Sequence, residues 1–366
     1  MRTELYIVDS LDPECLLDGL KNHDPEVHRL VVFSVAGVID LGPQAGLDMP
    51  DIQNVTINGH TAPGDGISIR NAPLYLINAK NVQLHGLHFH LGVDPSGKGR
   101  SWSPLRIVTH DGGLTENIVI DRCTFTGGED EQISCTPLMQ AHWQEQWPDK
   151  PHIRGLVISN CRFNPSYTLN RGNHNFACMV SLADDVHISK NFFANQNRRN
   201  PQVQGTDIIV EQNVIYNYGT GAIMCMAPGD YRVTQNICIL GPNSRTTNPV
   251  APITIQPTGT TGEVVLTHGG NERVKHGSVP YAIDLPVDNQ TDNPLTENVD
   301  PDVERFNRGW YVAHRAGARL DELDQRLINE YRILQGQWCK TPDDHGGFPD
   351  YEYTFDDVLT RYDLRP

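Results

Sequence analysis

No run of about 18 apolar residues occurs in this sequence of 366 residues, so a helical membrane span is excluded and no membrane is expected among its partners. Basic side chains are few. Against 45 Asp and Glu stand 29 Lys and Arg, a formal net charge of -16, which argues against a nucleic-acid backbone as partner. The opening Met1-Arg2-Thr3-Glu4-Leu5-Tyr6-Ile7-Val8 has neither the basic start nor the apolar stretch of a signal peptide. Export is therefore not written in the sequence, and an extracellular or virion-associated location implies processing or another route out of a cell. Zinc-ligand spacing, a phosphate-binding glycine loop and a nucleophile elbow are missing too. Asn58-Gly59 is the one Asn-Gly pair, so the two-residue hairpins of an antiparallel sandwich do not recur. Eight cysteines allow four disulfides, but a chain this long does not need them as staples, and they read mainly as core residues.

What is present is a turn-rich, moderately polar composition, with Gly 32, Pro 25 and 38% hydrophobic residues, which suits all-β architecture. Within it lies an internal repeat. Five segments align without gaps: Ile118 to Phe125, Leu156 to Phe163, Val186 to Phe193, Ile208 to Ile215 and Tyr231 to Cys238. Each has apolar residues at its first and third places, a polar pair, then Cys or Asn, and an apolar residue two places on. The successive spacings are 38, 30, 22 and 23 residues, too uneven for a propeller. A coil of parallel strands with loops of unequal length accounts for them, because equivalent positions on successive turns sit about 4.8 Å apart and like side chains stack. Asn191, Asn213 and Asn236 then form an inward ladder of amides, continued by Cys123 and Cys161 as buried thiols. A disulfide between those two cysteines is compatible with the spacing.

The ends read as caps. Asp12-Pro13 predicts a helix N-terminus with Leu16, Leu17 and Leu20 buried, plugging the open end of the coil. Leu320, Leu323, Leu327, Tyr331 and Leu334 mark one face of a helix near residues 316–335, expected to pack along the outside. The division expected is one domain, with residues 1–30 as cap, 31–270 as coil and 271–366 as a loop-rich extension. Strand-like pieces at Ile253-Thr-Ile255 and Val264-Val-Leu266 read as late turns.

These segments resemble the pectate lyases of polysaccharide lyase family 1. Val32 to Ile39 is similar to the family's opening strand, and Asn54 to Gly66 to its next turn. Asn117 to Glu131 is similar to a strand followed by an Asp-Glu pair, Arg199-Asn200-Pro201 to the family's Arg-x-Pro motif, and Asn213 to Gly219 to the strand after it. Ala316 to Arg319 and Gly346 to Pro349 have counterparts in the tail of bacterial members. The resemblance implies a right-handed parallel β-helix that cleaves an acidic polysaccharide such as pectate by β-elimination, with Ca2+ holding the uronate carboxylate and an arginine removing the neighbouring proton.

Carried across by position, Arg199 is the base. Lys190 and His174 are the further catalytic candidates, and Arg106, Arg171, Arg198, Gln204 and Trp143 the substrate-binding ones. Asp130, Glu131 and Glu129 are the calcium candidates. The ligand set is incomplete, since Ser103 and Ser134 stand where the family has acids and Gln204 where it has a second arginine. The insertion at residues 137–152, with His142, Trp143 and Trp147, either arches over a sugar cleft or packs on the coil. The second reading of the whole is a non-catalytic glycan-binding or structural β-helix, such as a virion component with an eroded site.

Overall fold

The computed structural model describes residues 2–21, 24–42, 46–92, 102–110, 113–137, 152–167, 174–244, 252–257, 264–274, 312, 315–319 and 321–332. Among them every strand pairing is parallel, and the strands stack into three ladders. With the right-handed crossover that parallel strands require, the chain is a right-handed parallel β-helix.

The first face runs from Thr3–Val8 and His28–Phe33 through Thr115–Asp121 and Ile153–Ser159 to Val264–Gly269. The second carries short strands such as Leu87–His90, Thr124–Thr126 and Phe192–Ala194. The third carries Leu74–Ile77, Leu105–Thr109, Ile133–Pro137 and Ile223–Ala227. Cys178–Ser189 and Gln202–Glu211 bend from the third face into the first.

Alternation decides what points inward. On the first face Val82, Ile118, Leu156, Val186 and Ile208 share one register column, and Leu84, Ile120, Ile158, Ile188 and Val210 another. All are at most 1% exposed, so a one-residue slip would turn the whole core outward. On the second face Phe89, Phe125, Phe163 and Phe193 stack with ring centroids 5.0, 5.4 and 4.4 Å apart, a spacing set by the strand repeat and favourable for offset aromatic pairs.

The expected polar ladder lies at the corner between the first and second faces. Asn213 Nδ2 donates to Ile188 O at 2.9 Å and to Asn236 Oδ1 at 3.0 Å, while its Oδ1 accepts from the backbone and side-chain nitrogens of Asn191, both at 3.0 Å. The ladder extends one rung further than expected, since Asn236 Nδ2 donates to Asn271 Oδ1 at 2.9 Å. Cys161 N donates to Asn191 Oδ1 at 2.8 Å. Cys123 and Cys161 are thiols and not a disulfide. The Cys161 Sγ donates to carbonyl oxygens of Ser159 and Ile120 at 3.2 and 3.5 Å. An outer ladder escaped the sequence reading: Asn117 donates to Asn81 and Asn81 to Asn54, each at 2.9 Å. All three adopt left-handed φ values of 52 to 56, where Asn is the best-tolerated ordinary residue.

The boundaries differ from the expected division. Thr3–Val8 already pairs in register with His28–Phe33, and Glu272–Val274 still pairs with Ile237–Ile239, so the coil is longer at both ends than 31–270. Helix α1 (Pro13–Leu20) is capped by Asp12, whose side chain accepts from Glu14 N at 3.0 Å. It lies inside the first turn and still covers the open end, since Leu16, Leu17 and Leu20 join the core. Helix α2 (Glu322–Arg332) starts later than the span predicted from periodicity, since residues 316–319 form a bend. Leu323, Leu327 and Ile328 are buried; Leu320 and Leu334 lie outside the described residues. The segment before it covers the outer side of the second face, where Ala316 packs with Phe192, Val214, Tyr216 and Ile239.

Asn213 sits mid-ladder, and its loss leaves several buried polar groups unmatched at about 1–3 kcal/mol each. Asn213→Leu is expected to lower the urea-unfolding midpoint sharply, and Asn213→Cys, the residue type found at positions 123 and 161, to lower it less. Equal and small shifts in both variants would show that the ladder contributes little.

Candidate active site on the third face

The outward column of the third face runs Tyr75, Arg106, Ser134, Met179, Gln202. Just before the strands of this column, short loops deliver the charged groups. Two of them converge: residues 129–131 ahead of Ile133–Pro137, and residues 198–199 ahead of Gln202–Glu211. The first is pinned by Trp102, whose carbonyl accepts from Glu129 N at 2.8 Å and Asp130 N at 3.3 Å. The second is pinned by Arg199 O, which accepts from Cys178 N at 2.8 Å, and by Asn200 N, which donates to Ala222 O at 2.8 Å. Arg199 holds φ 62, a strained value for a long side chain.

The guanidinium of Arg199 forms an ion pair with the Glu131 carboxylate, and its Nη1 also lies 3.3 Å from Met179 Sδ. Phe176 is the platform. The guanidinium carbons of Arg198 and Arg199 sit 4.6 and 4.2 Å from its ring centroid, a cation–π arrangement on both counts. The His174 ring lies tilted against the same ring, its centroid 4.7 Å away, and contacts Asp130 Oδ1 through Nδ1 at 3.1 Å. Arg106 lies over the Tyr75 ring at 5.4 Å. The Nε atoms of Arg106, Arg198 and Arg199 are buried and donate to no acceptor among the described residues. Buried donors of a charged group are costly when unmatched, so these guanidinium groups can receive an anion.

Glu131 is 2% exposed. Its carboxyl is pushed up to about 7, first by burial and then by the neighbouring charge of Asp130, while Arg199 and Arg106 pull the other way. The Arg198 guanidinium is held below its ordinary value by burial and by the adjacent Arg199.

The structure therefore brings Arg199, Arg198, Arg106, His174, Asp130 and Glu131 together. It separates Lys190 from them. Lys190 occupies the corner between the first and second faces, at the turn position also filled by Arg122, Asn160, Gln212 and Gln235, all with left-handed φ values of 50 to 57. Its location follows from turn geometry, and it faces away from the third face. Gln204 is half-buried two residues beyond Gln202, where the register shifts. Arg171 and Trp143 lie outside the described residues. Phe176 was missed because nothing distinguishes a platform phenylalanine from a core one in sequence.

The calcium candidates are Asp130, Glu131 and Glu129, expected as an incomplete set. Calcium takes six to eight converging oxygens. Here Arg199 neutralises Glu131, His174 engages Asp130, and Ser134 offers no carboxylate. Among the described residues, the acids at 129–131 do not bring three ligand atoms within 4.8 Å of one another, so these residues do not fit a preassembled calcium cage.

No family model matches the sequence. A probable pectate lyase C of Emericella nidulans is 24% identical over 358 residues, 95% of this chain and 76% of that protein. One from Aspergillus flavus is 26% identical over 248 residues, 67% of this chain and 52% of that protein. The chain is a divergent relative of the pectate lyases. It spans about half the length of several such relatives. Two solved pectate lyases share the fold: one from a Bacillus species, in complex with trigalacturonate, has a TM-score of 0.52 at 14% identity, covering 87% of this chain and 93% of its own. A variant from Xanthomonas campestris has a TM-score of 0.53 at 16% identity, covering 85% and 93%. Against that pectate lyase background, the arginine wall and the Arg199–Glu131 pair are what this chain places on the third face.

The raised Glu131 carboxyl links to stability. Its folded value of about 7 exceeds the ordinary 4.5, so between those pH values the folded state binds more protons than the unfolded one. Stability contributed by this group is full below about 4.5 and lost as pH rises through about 7. Thermal melts across that window are expected to decline less steeply in Glu131→Gln than in the parent protein; parallel slopes would place the carboxyl in the ordinary range.

Proposed function

We propose that the protein is a polysaccharide lyase that cleaves a uronate-containing glycan such as pectate by β-elimination. One observation carries the reading: three buried guanidinium donors and the Arg199–Glu131 pair share one wall of the β-helix. Relatives named pectate lyase support it.

In this scheme Arg106 and Arg198 receive the uronate carboxylate, which withdraws charge from the adjacent C5 and stabilises the developing enolate. A guanidinium is charged at any ordinary pH, so Arg199 acts as base only by passing a proton on. Glu131 is the acceptor behind it. Raising that carboxyl from 4.5 to about 7 lowers the cost of the transfer by about 3 kcal/mol. The C5–H bond breaks, its electrons form the C4–C5 double bond, and the C4–O bond opens. His174, oriented by Asp130, protonates the departing oxygen. Because the acids present form no cage, calcium enters no step here; it is tested as an added variable. The partner is the acidic polysaccharide, and the site of action extracellular.

The assay is polygalacturonate with and without calcium, followed by ultraviolet absorbance of the unsaturated product. Arg199→Ala is expected to reduce turnover by about 10²–10⁴-fold. Activity of the parent is expected to rise with pH through about 7, and that limb to vanish in Glu131→Gln. No unsaturated product from any of several polyuronates, with or without calcium, would sink the lyase reading and favour a glycan-binding β-helix without catalysis.

A further inference from the structure

On the outer side of the second face, away from the arginine wall, two histidines stand in adjacent outward positions of Leu87–His90. His88 and His90 are both fully buried, and Asp321, from the segment leading into α2, is 3% exposed and meets them. One ligand atom from each of the three lies within 4.8 Å of the other two. Asp321 Oδ2 is 3.6 Å from His88 Nδ1 and 3.9 Å from His90 Nε2. We propose that these side chains bind a divalent transition-metal ion, zinc by its ligand set, which fastens the C-terminal segment to the coil.

The distances point to this. They are too long for direct hydrogen bonds. Ligand atoms about 2.0–2.1 Å from a tetrahedral zinc are about 3.3–3.4 Å apart, so the two Asp321–histidine distances of 3.6 and 3.9 Å are within about half an ångström of that spacing. Two imidazoles and a carboxylate are a suitable zinc set, with a fourth position for water. The surroundings orient the ligands. Ser68 Oγ lies 3.2 Å from His90 Nδ1, and Arg70 Nε donates to the same oxygen at 3.2 Å. With Nδ1–H directed to Ser68, His90 aims the Nε2 lone pair at Asp321, the polarity a metal requires.

Asp321 divides its two oxygens. Its Oδ1 accepts from Asp324 N at 2.8 Å, capping α2, and its Oδ2 faces the histidines. The nearby Arg162 is matched to a different acid, Asp324, at 2.9 Å. A metal on Oδ2 therefore couples the cap of α2 to the second face, and binding energy becomes stability of that contact.

The test strips the full-length protein with a chelator and titrates it calorimetrically with zinc ions alone. One equivalent per chain and a raised melting temperature are expected. Ser68→Ala is expected to weaken binding about 10–100-fold, and H88Q or H90Q to weaken it further. Should those variants fold poorly, anomalous diffraction at the zinc edge from the parent protein decides: a peak between His88, His90 and Asp321 supports the site. No stoichiometric uptake, a peak elsewhere, or undiminished binding in well-folded H88Q and H90Q would overturn it.

Discussion

In-register stacking of parallel turns is the constraint on which the rest depends. Each turn presents a full edge of backbone donors and acceptors, and the next turn satisfies them about 4.8 Å away. Once Leu105, Ile133 and Cys178 are locked into one inward column, their neighbours Arg106, Ser134 and Met179 have no choice but to face out together. The Asn ladder and the phenylalanine stack are consequences of the same register and also its enforcers. A slip of one residue would bury charges and expose the core on every turn at once.

That rigidity explains how an acidic protein holds a concentrated positive wall. Repulsion between Arg198 and Arg199 is offset by Phe176 beneath both guanidinium groups and by Glu131 and Asp130 beside them. The backbone bonds that pin residues 129–130 and 199–200 to neighbouring turns keep these groups from relaxing apart. The strain in Arg199 and the desolvation of Glu131 are both sustained by the surrounding coil, as expected where a scaffold holds reactive groups ready.

The second face uses the same outward columns for a different purpose. Its later turns present Phe192, Val214, Tyr216 and Ile239, covered by the apolar Ala316. Its earlier turns present His88, His90, Thr124 and Arg162, met by Asp321, Asp324 and the backbone of Ala318. The buried Arg162–Asp324 pair is weak evidence of net stability, because desolvation of both charges opposes their attraction. Removing either partner alone would be far more damaging than replacing both.

Much of the fold was legible because it is local and repeated. The gapless alignment of five segments specified parallel turns, inward Asn and Cys, and strands of alternating burial, since period-2 patterning and stacking leave few other arrangements. Residue types also carried the site's membership in part: Arg199, Asp130, Glu131 and His174 are chemically conspicuous and follow aligned strands at short intervals. Pairings across turns were decided only by the folded chain. That Glu131 meets Arg199, that Lys190 belongs to a turn corner, that Phe176 underlies two arginines, and that Asp321 returns to His88 and His90 all depend on how loops of unequal length close onto neighbouring turns. Such contacts join residues dozens to hundreds of positions apart. A linear sequence records what each turn buries, but which outward groups meet is set by loop closure in three dimensions.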